Sequence, residues 1–276
     1  MGVLLGGLTS LLYGVGDFVG GEATRKAPAP AVVLAAAFVT IPLITMAGLL
    51  VGGDATAADW ALGGAAGTCG AVGLVLLFAG LARGRAASVA PVAAAVGAAV
   101  PVVAGVLLGE RPSAVAWTGV AIAIPAIVFC SWAPVSGSAK GGGVAYGLGA
   151  GSLFGSYTVI ISRTADASNL LPLIPARGAF LVVMLALALG GVWKLSTLPT
   201  VPKGLVTAHG VLDVAGNITL LLALRSGSLV AVSIASSAYP AVTVGLARLV
   251  NGERLRQIQV LGVVLSLVAL TLIALG

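Results

Sequence analysis

The chain has 276 residues, of which 59% are hydrophobic and 8% charged, with a mean hydropathy of +1.15 and a formal net charge of +6. About a quarter of a soluble globule's residues are charged, so this composition excludes one and demands lipid as the solvent. The Lys and Arg residues form no run that follows a nucleic-acid backbone; they are expected to anchor short loops at lipid headgroups, with no nucleic-acid partner.

A bilayer core of about 30 Å takes roughly 20 apolar residues per helix. Ten spans fit, at 2–21, 30–52, 60–82, 86–108, 113–133, 142–162, 170–193, 204–225, 228–250 and 256–275. Span 1 lacks the charged start of a cleaved signal and carries Asp17, so it is expected to be a retained helix. Asp17 follows Tyr13 by four residues and shares its face. It belongs either to an internal site or, with a helix that runs to Gly21 or beyond and so ends roughly a turn after it, to the interface. Spans 3 and 5 contain Cys69 and Cys130, each without a ligand-like neighbour, which argues against a disulfide or a metal site. Span 4 closes on Gly109-Glu110-Arg111, read as an architectural helix end.

The stretch Ser136–Gly143 is rich in Gly and Ser and reads as the boundary between two halves, residues 1–135 and 142–276, within one membrane domain. Span 6 bears Ser152, Ser156 and Tyr157. Span 7 bears Arg177, either a counter-ion for Asp213 or a fork for a ligand carboxylate. Span 8 carries the densest polar pattern, His209, Asp213 and Asn217 at intervals of four, all on one face. Ionisable groups at membrane depth are costly unless paired or facing water, so this stripe is either a binding surface or a network tying helices together. Span 9 adds Ser233, Ser236, Ser237 and Tyr239, and Arg248 near its end is expected to reach the headgroups. It closes on Gly252-Glu253-Arg254.

The halves repeat. A gapless shift of 143 residues, from Gly109 to Gly252, also places Gly84 on Gly227, Ala98 on Ala241, Gly119 on Gly262 and Ala126 on Ala269. Span 1 meets span 6 at a shift of 141, Gly2 on Gly143, Gly6 on Gly147 and Gly14 on Gly155. Five spans per half is an odd number, so the second half enters the membrane in the opposite sense. An inverted repeat of this kind suits alternating access, in which the halves exchange conformations around a central site.

These residues resemble the ten-helix EamA type of the drug/metabolite transporter superfamily. The resemblance rests on Tyr13-Gly14 and Phe154-Gly155 in spans 1 and 6, Gly-Glu-Arg after spans 4 and 9, Tyr239-Pro240 in span 9, and Arg177 with Phe180 in span 7. Gly97 stands where span 4 would have its Pro, and Ala36-Ala37-Phe38 lacks the Arg of the first half. The resemblance implies an all-α integral membrane protein of ten transmembrane helices in two inverted five-helix repeats. It implies a transporter, often an exporter of amino acids or other small metabolites.

The expected function is therefore a secondary transporter of small polar metabolites, exporting amino acids or related compounds from a bacterial inner membrane or its equivalent. The alternatives are an intramembrane enzyme built on His209 and Asp213, which lacks a placed nucleophile, and a non-transporting channel or scaffold. No G-x-x-x-x-G-K-[ST] motif occurs, so no cofactor is expected and an ion gradient or the substrate's own gradient would drive transport. The candidate substrate-binding residues are Tyr13, Asp17, Ser156, Tyr157, Arg177, His209, Asp213, Asn217 and Tyr239. Spans 1, 6, 8 and 9 are expected to line a cavity, with spans 5 and 10 peripheral. His209, a side chain whose unperturbed pKa is ~6.5, is the candidate for proton coupling. Close glycine spacings (Gly63 and Gly67, Gly151 and Gly155) suit a monomer or a homodimer equally. Lys and Arg crowd the loops after odd-numbered spans, which places both chain ends outside the cytoplasm, whereas the resemblance implies the reverse.

Overall fold

The computed structural model of the chain describes residues 1–82, 86–130, 143–191, 198, 200–252 and 256–275. Among the described residues the apolar runs form helices: α1 (Gly2–Thr24), α2 (Ala29–Val51), α3 (Ala57–Ala82), α4 (Ala86–Leu107), α5 (Ala114–Cys130), α6 (Gly143–Ile161), α7 (Leu173–Leu189), α8 (Lys203–Ser226), α9 (Leu229–Ser236), α10 (Tyr239–Asn251) and α11 (Gln257–Leu275). A backbone in hydrocarbon must satisfy its own N–H and C=O groups, and an apolar run does so only as a helix. The Ser136–Gly143 boundary lies outside the described residues except for Gly143, and Glu253 and Arg254 lie outside them too.

Two spans differ from expectation. Span 7 begins at Leu173, because Asp166–Ser168 forms a short 3-10 turn and Asn169 takes a positive φ of 46° before Pro172. Span 9 is two helices. Pro240 has no N–H to give the Ser236 carbonyl and disfavours helical geometry in the residue before it. The chain compensates at the break: Ser237 N–H donates to the carbonyls of Ser233 and Ile234, and the Ser236 and Ser237 hydroxyls both donate to Ser233 O.

The helices of the two halves interleave. α1 packs on α8, α9 and α10, while α6 packs on α3 and α4; α2 meets α8, α7 meets α3, and α5 lies along α11. Exchanging each helix of one half for its equivalent in the other maps this set of neighbours onto itself. The glycines show the symmetry at atomic detail. Gly119 of α5 sits against Ala269 O and Ile273 of α11, and Gly262 of α11 sits against Ala126 O and Cys130 of α5, a shift of 143 on both sides. The Phe154 ring lies on Gly73 and the Tyr13 ring on Gly216, so each aromatic of an aromatic-Gly pair fills the notch left by a glycine in the other half.

One register differs between the halves. Gly6 lies against Val232 and Ala235, and Gly147 against Val89 and Val92, a shift of 143; Gly14 lies against Tyr239 and Val242, and Gly155 against Gly97 and Val100, a shift of 142. The second half spends one residue fewer across the α9–α10 break. A tight turn rises about 2.0 Å per residue against 1.5 Å in the α-helix, so fewer residues cover the same length. In that register Ala98, not Gly97 as the sequence suggested, takes the position of Pro240, and α4 stays continuous.

Successive spans alternate direction, which gives the bundle two faces. One bears Met1 and the loops 52–56, 108–113 and 162–172; the other bears Arg25, Lys26, Lys203 and Arg256.

Candidate functional site

A cavity of about 560 Å³ lies within the bundle, lined by residues of every helix but α5 and α11. It reaches the basic face, since its wall runs to Thr24, the last residue of α1, and to Val32 near the start of α2. At its other end the wall stops at Leu220 of α8 and Thr158 of α6.

Beyond those residues the bundle is closed by polar bonds between loops. Asp59, buried at the start of α3, accepts from Thr56 N (2.8 Å) and Thr56 Oγ1 (2.7 Å) with one oxygen and from Ala165 N (2.7 Å) with the other. Arg225, at the end of α8, donates to Ala165 O and to Ser168 Oγ, each at 3.1 Å, and lies 3.7 Å from Asp166. Asp54 N donates to Ala167 O (2.8 Å). Nearby, the Glu110 carboxylate accepts from Leu229 N (2.5 Å) and Val230 N (2.9 Å) and so caps α9, whose first N–H groups have no helical partner. The Glu110 half of the Gly-Glu-Arg pair is therefore a cap reaching across the repeats.

Within the cavity, four of the candidate residues form one network. Arg177 of α7 pairs with Asp213 of α8 at 2.5 Å. Asn217, one turn on, donates to Asp213 O (2.7 Å) and to Asp213 Oδ1 (3.2 Å), and Tyr157 of α6 donates to Asn217 Oδ1 (2.6 Å). The Phe180 ring centroid is 6.0 Å from the Arg177 guanidinium carbon, one turn along α7. Asn217 is buried; Arg177 and Asp213 keep 17% and 23% of their side-chain surface exposed, toward the cavity.

His209 and Asp17 stand apart from this network. The His209 ring fits the groove of α1 left by Gly16 and Gly20, and its Nδ1 lies 2.9 Å from Gly16 O. A carbonyl only accepts, so Nδ1 carries a proton and Nε2 of the neutral ring is an acceptor. Asp17 is exposed into the cavity. Because α1 continues to Thr24, Asp17 lies seven residues, about 10 Å, from the helix end. Among the described residues it makes no hydrogen bond or ion pair.

Tyr13 and Tyr239 also line the cavity. Ser156 does not: on α6 the lining falls to Phe154, Tyr157 and Thr158. On the polar side of span 9, Ser236 and Ser237 line it, whereas Ser233 is buried behind them with its hydroxyl unpaired among the described residues. The expectation of four lining helices was too narrow, since α2, α3, α4 and α7 contribute too. They do so mostly through Ala36, Ala37, Gly67, Gly70, Gly97 and similar small or apolar residues, which carry no polar signal.

Two interleaved inverted repeats enclose a cavity that reaches the basic face, an arrangement shared by many membrane transporters. A sequence profile of the EamA-like transporter family matches residues 1–132 and 141–275. The chain belongs to that family, within the drug/metabolite transporter superfamily: it is a membrane transporter and not an enzyme. A solved structure described only as "Crystal structure of protein" shares the fold, with a TM-score of 0.78 over 99% of this chain and 96% of that one at 18% identity. A search of curated protein sequences returned no match.

Proposed function

We propose that the protein is a secondary transporter that exports small amino-group-bearing metabolites, amino acids foremost, across the plasma membrane by alternating access. The observation that carries this reading is the cavity itself. It is large enough for a small metabolite, contains both signs of charge, opens to one face and is bolted shut on the other. A cavity between inverted repeats supports exchange of the open and closed faces rather than a continuous pore.

The open face is the one rich in Lys and Arg. By the positive-inside rule that face is cytoplasmic, and the structure then represents the inward-open state, ready to load an export substrate. Met1 would lie on the far side; a tag placed there and probed on intact cells tests this assignment. His209 is the proposed proton site, since its Nε2 is left free to exchange a proton beside Asp17.

The experiment for the reading as a whole is flux in proteoliposomes across a panel of amino acids and amines. Saturable uptake stimulated by internal unlabelled substrate is the expected outcome. Flux that is linear in concentration and shows no counterflow would instead indicate a channel.

A further inference from the structure

We infer that the cavity selects its ligand by an ammonium group held at Asp17 and leaves a carboxylate unread, so that the ligand class is primary amines with a compact apolar body, carboxylated or not. The inference rests on the transport reading above and names the group the same site recognises.

The polar groups of the cavity fall into two sets of different character. The deeper set, Arg177, Asp213, Asn217 and Tyr157, is already satisfied from within and carries no net charge. Arg177 could bind a ligand carboxylate only by sharing or releasing Asp213, and separating a desolvated pair is costly. This set ties α6, α7 and α8 together and shapes the floor of the cavity.

The second set lies nearer the open face. Asp17 projects into the cavity without a hydrogen bond or ion pair among the described residues. A carboxylate at that depth needs a counter-charge or water. His209 makes no ion pair or hydrogen bond with it; its Nδ1 is bonded to Gly16 O, which leaves Nε2 of the neutral ring as an acceptor. Tyr13 and Tyr239 line the same cavity. The pocket around Asp17 thus offers an unpaired carboxylate and, at His209, a further acceptor. A primary ammonium offers one positive charge and three donors, which answers both. A ligand carboxylate placed here would add a second negative charge; turned toward the mouth it meets water and touches none of these groups.

The rest of the wall fixes the body of the ligand. Six of the chain's ten phenylalanines and tyrosines line the cavity, and the remaining lining is chiefly Ala, Val, Leu and Gly. Such a wall favours a compact apolar group, and its aromatic faces also favour a cation.

The test is calorimetric titration of the full-length protein in detergent micelles with leucine, leucinamide, 3-methylbutylamine and N-acetylleucine at one neutral pH. Leucinamide and 3-methylbutylamine are expected to bind at least as tightly as leucine, and N-acetylleucine not measurably. Asp17→Asn is expected to weaken all three ammonium compounds about tenfold or more, with an unchanged melting temperature as the control for folding. Arg177→Lys keeps a cation opposite Asp213, and whatever it does to the separate affinities it is expected to hold the leucine-to-leucinamide ratio within about twofold. Leucine binding about tenfold tighter than leucinamide, with that preference lost in Arg177→Lys, overturns the inference in favour of a carboxylate site at Arg177. Binding of N-acetylleucine as tight as leucine, or of none of the four compounds, overturns it as well. Failure of the transport reading is seen separately, as binding without counterflow in liposomes.

Discussion

The Arg177–Asp213 pair sets up a measurable coupling. The two side chains meet at 2.5 Å, and Asn217 adds a second bond to the same carboxylate. Asp213→Asn preserves the shape but leaves Arg177 as an uncompensated cation beside Tyr157 and Tyr13. Losing one member of a buried pair costs ~3–5 kcal/mol; the partial exposure of both groups to the cavity brings that down to about 2–3 kcal/mol. A chain of this size loses about 2–4 °C per kcal/mol, so the apparent melting temperature in detergent, followed by tryptophan fluorescence, should fall by roughly 5–10 °C. Arg177→Met should do the same for the opposite reason, stranding Asp213. The double variant Arg177→Met/Asp213→Asn removes both charges and should recover to within about 3 °C of the parent, because neither desolvated charge is left alone. Single substitutions that shift melting by less than about 1 °C, or a double variant as unstable as the sum of the singles, would refute the pairing as the element that holds α7 to α8.

Other consequences follow from single contacts. Gly262→Ala places a methyl 2.6 Å from Cys130 N and 2.9 Å from Ala126 O at the α5–α11 crossing, and should cost about 1–3 kcal/mol in the same melting assay. Gly64→Ala, which meets nothing within 4 Å, should melt like the parent. Glu110→Ala removes both bonds to the start of α9 and should cost about 1–2 kcal/mol, most of it recovered by Gln only if a neutral acceptor suffices. Cysteines placed along the outward side of α11 should react with a water-soluble thiol reagent far more slowly than one at Asp213; equal rates would remove α11 from the periphery.

The helices were legible because hydrocarbon leaves an apolar run one regular choice, and the inversion was legible because five is odd. The break at Ser237 was signalled by Pro240, yet the apolar run continues through it and composition alone does not register a lost carbonyl partner. The polar stripe of α8 was readable as a face, and Asp213 does meet Arg177. What spacing did not convey was that Asn217 and Tyr157 close the network, because that depends on where α6 lies. The end of α1 was not legible, because Glu22 and Thr24, polar but helical, carry the helix past the apolar run that ends at Gly21. Ser156 was chosen for its hydroxyl, but a helix turns about 100° per residue, and the cavity faces its neighbours Tyr157 and Thr158. The walls given by α2, α3 and α4 were the least readable. A cavity is partly an absence of side-chain volume, and Gly67, which both packs on Ala176 and lines the void, reads the same way whichever it does.

The backbone of this transporter is more symmetric than its side chains, and the difference bears on how it works. Glycine contacts at α5–α11 and the aromatic notches at Gly73 and Gly216 recur in both halves, so either half can adopt the packing of the other. The bonds that close the Met1 face do not recur. At a shift of 143, Asp59 falls on Pro202 and Arg225 on Ala82, and neither replacement can accept or donate as its counterpart does. Opening that face requires Asp59 to release Ala165 N and Arg225 to release Ala165 O and Ser168, while the basic face has no equivalent bonds among these matched positions. The symmetric contacts build both halves alike, and the asymmetric ones hold the Met1 face closed in this conformation. Charge follows the same division. Asp17, His209, Arg177 and Asp213 all lack ionisable equivalents in the other half (Thr158, Ala66, Ala36 and Gly70 at shifts of 141, 143, 141 and 143), so a ligand held at Asp17 would sit where α1 crosses α8 and not at a position the two repeats share.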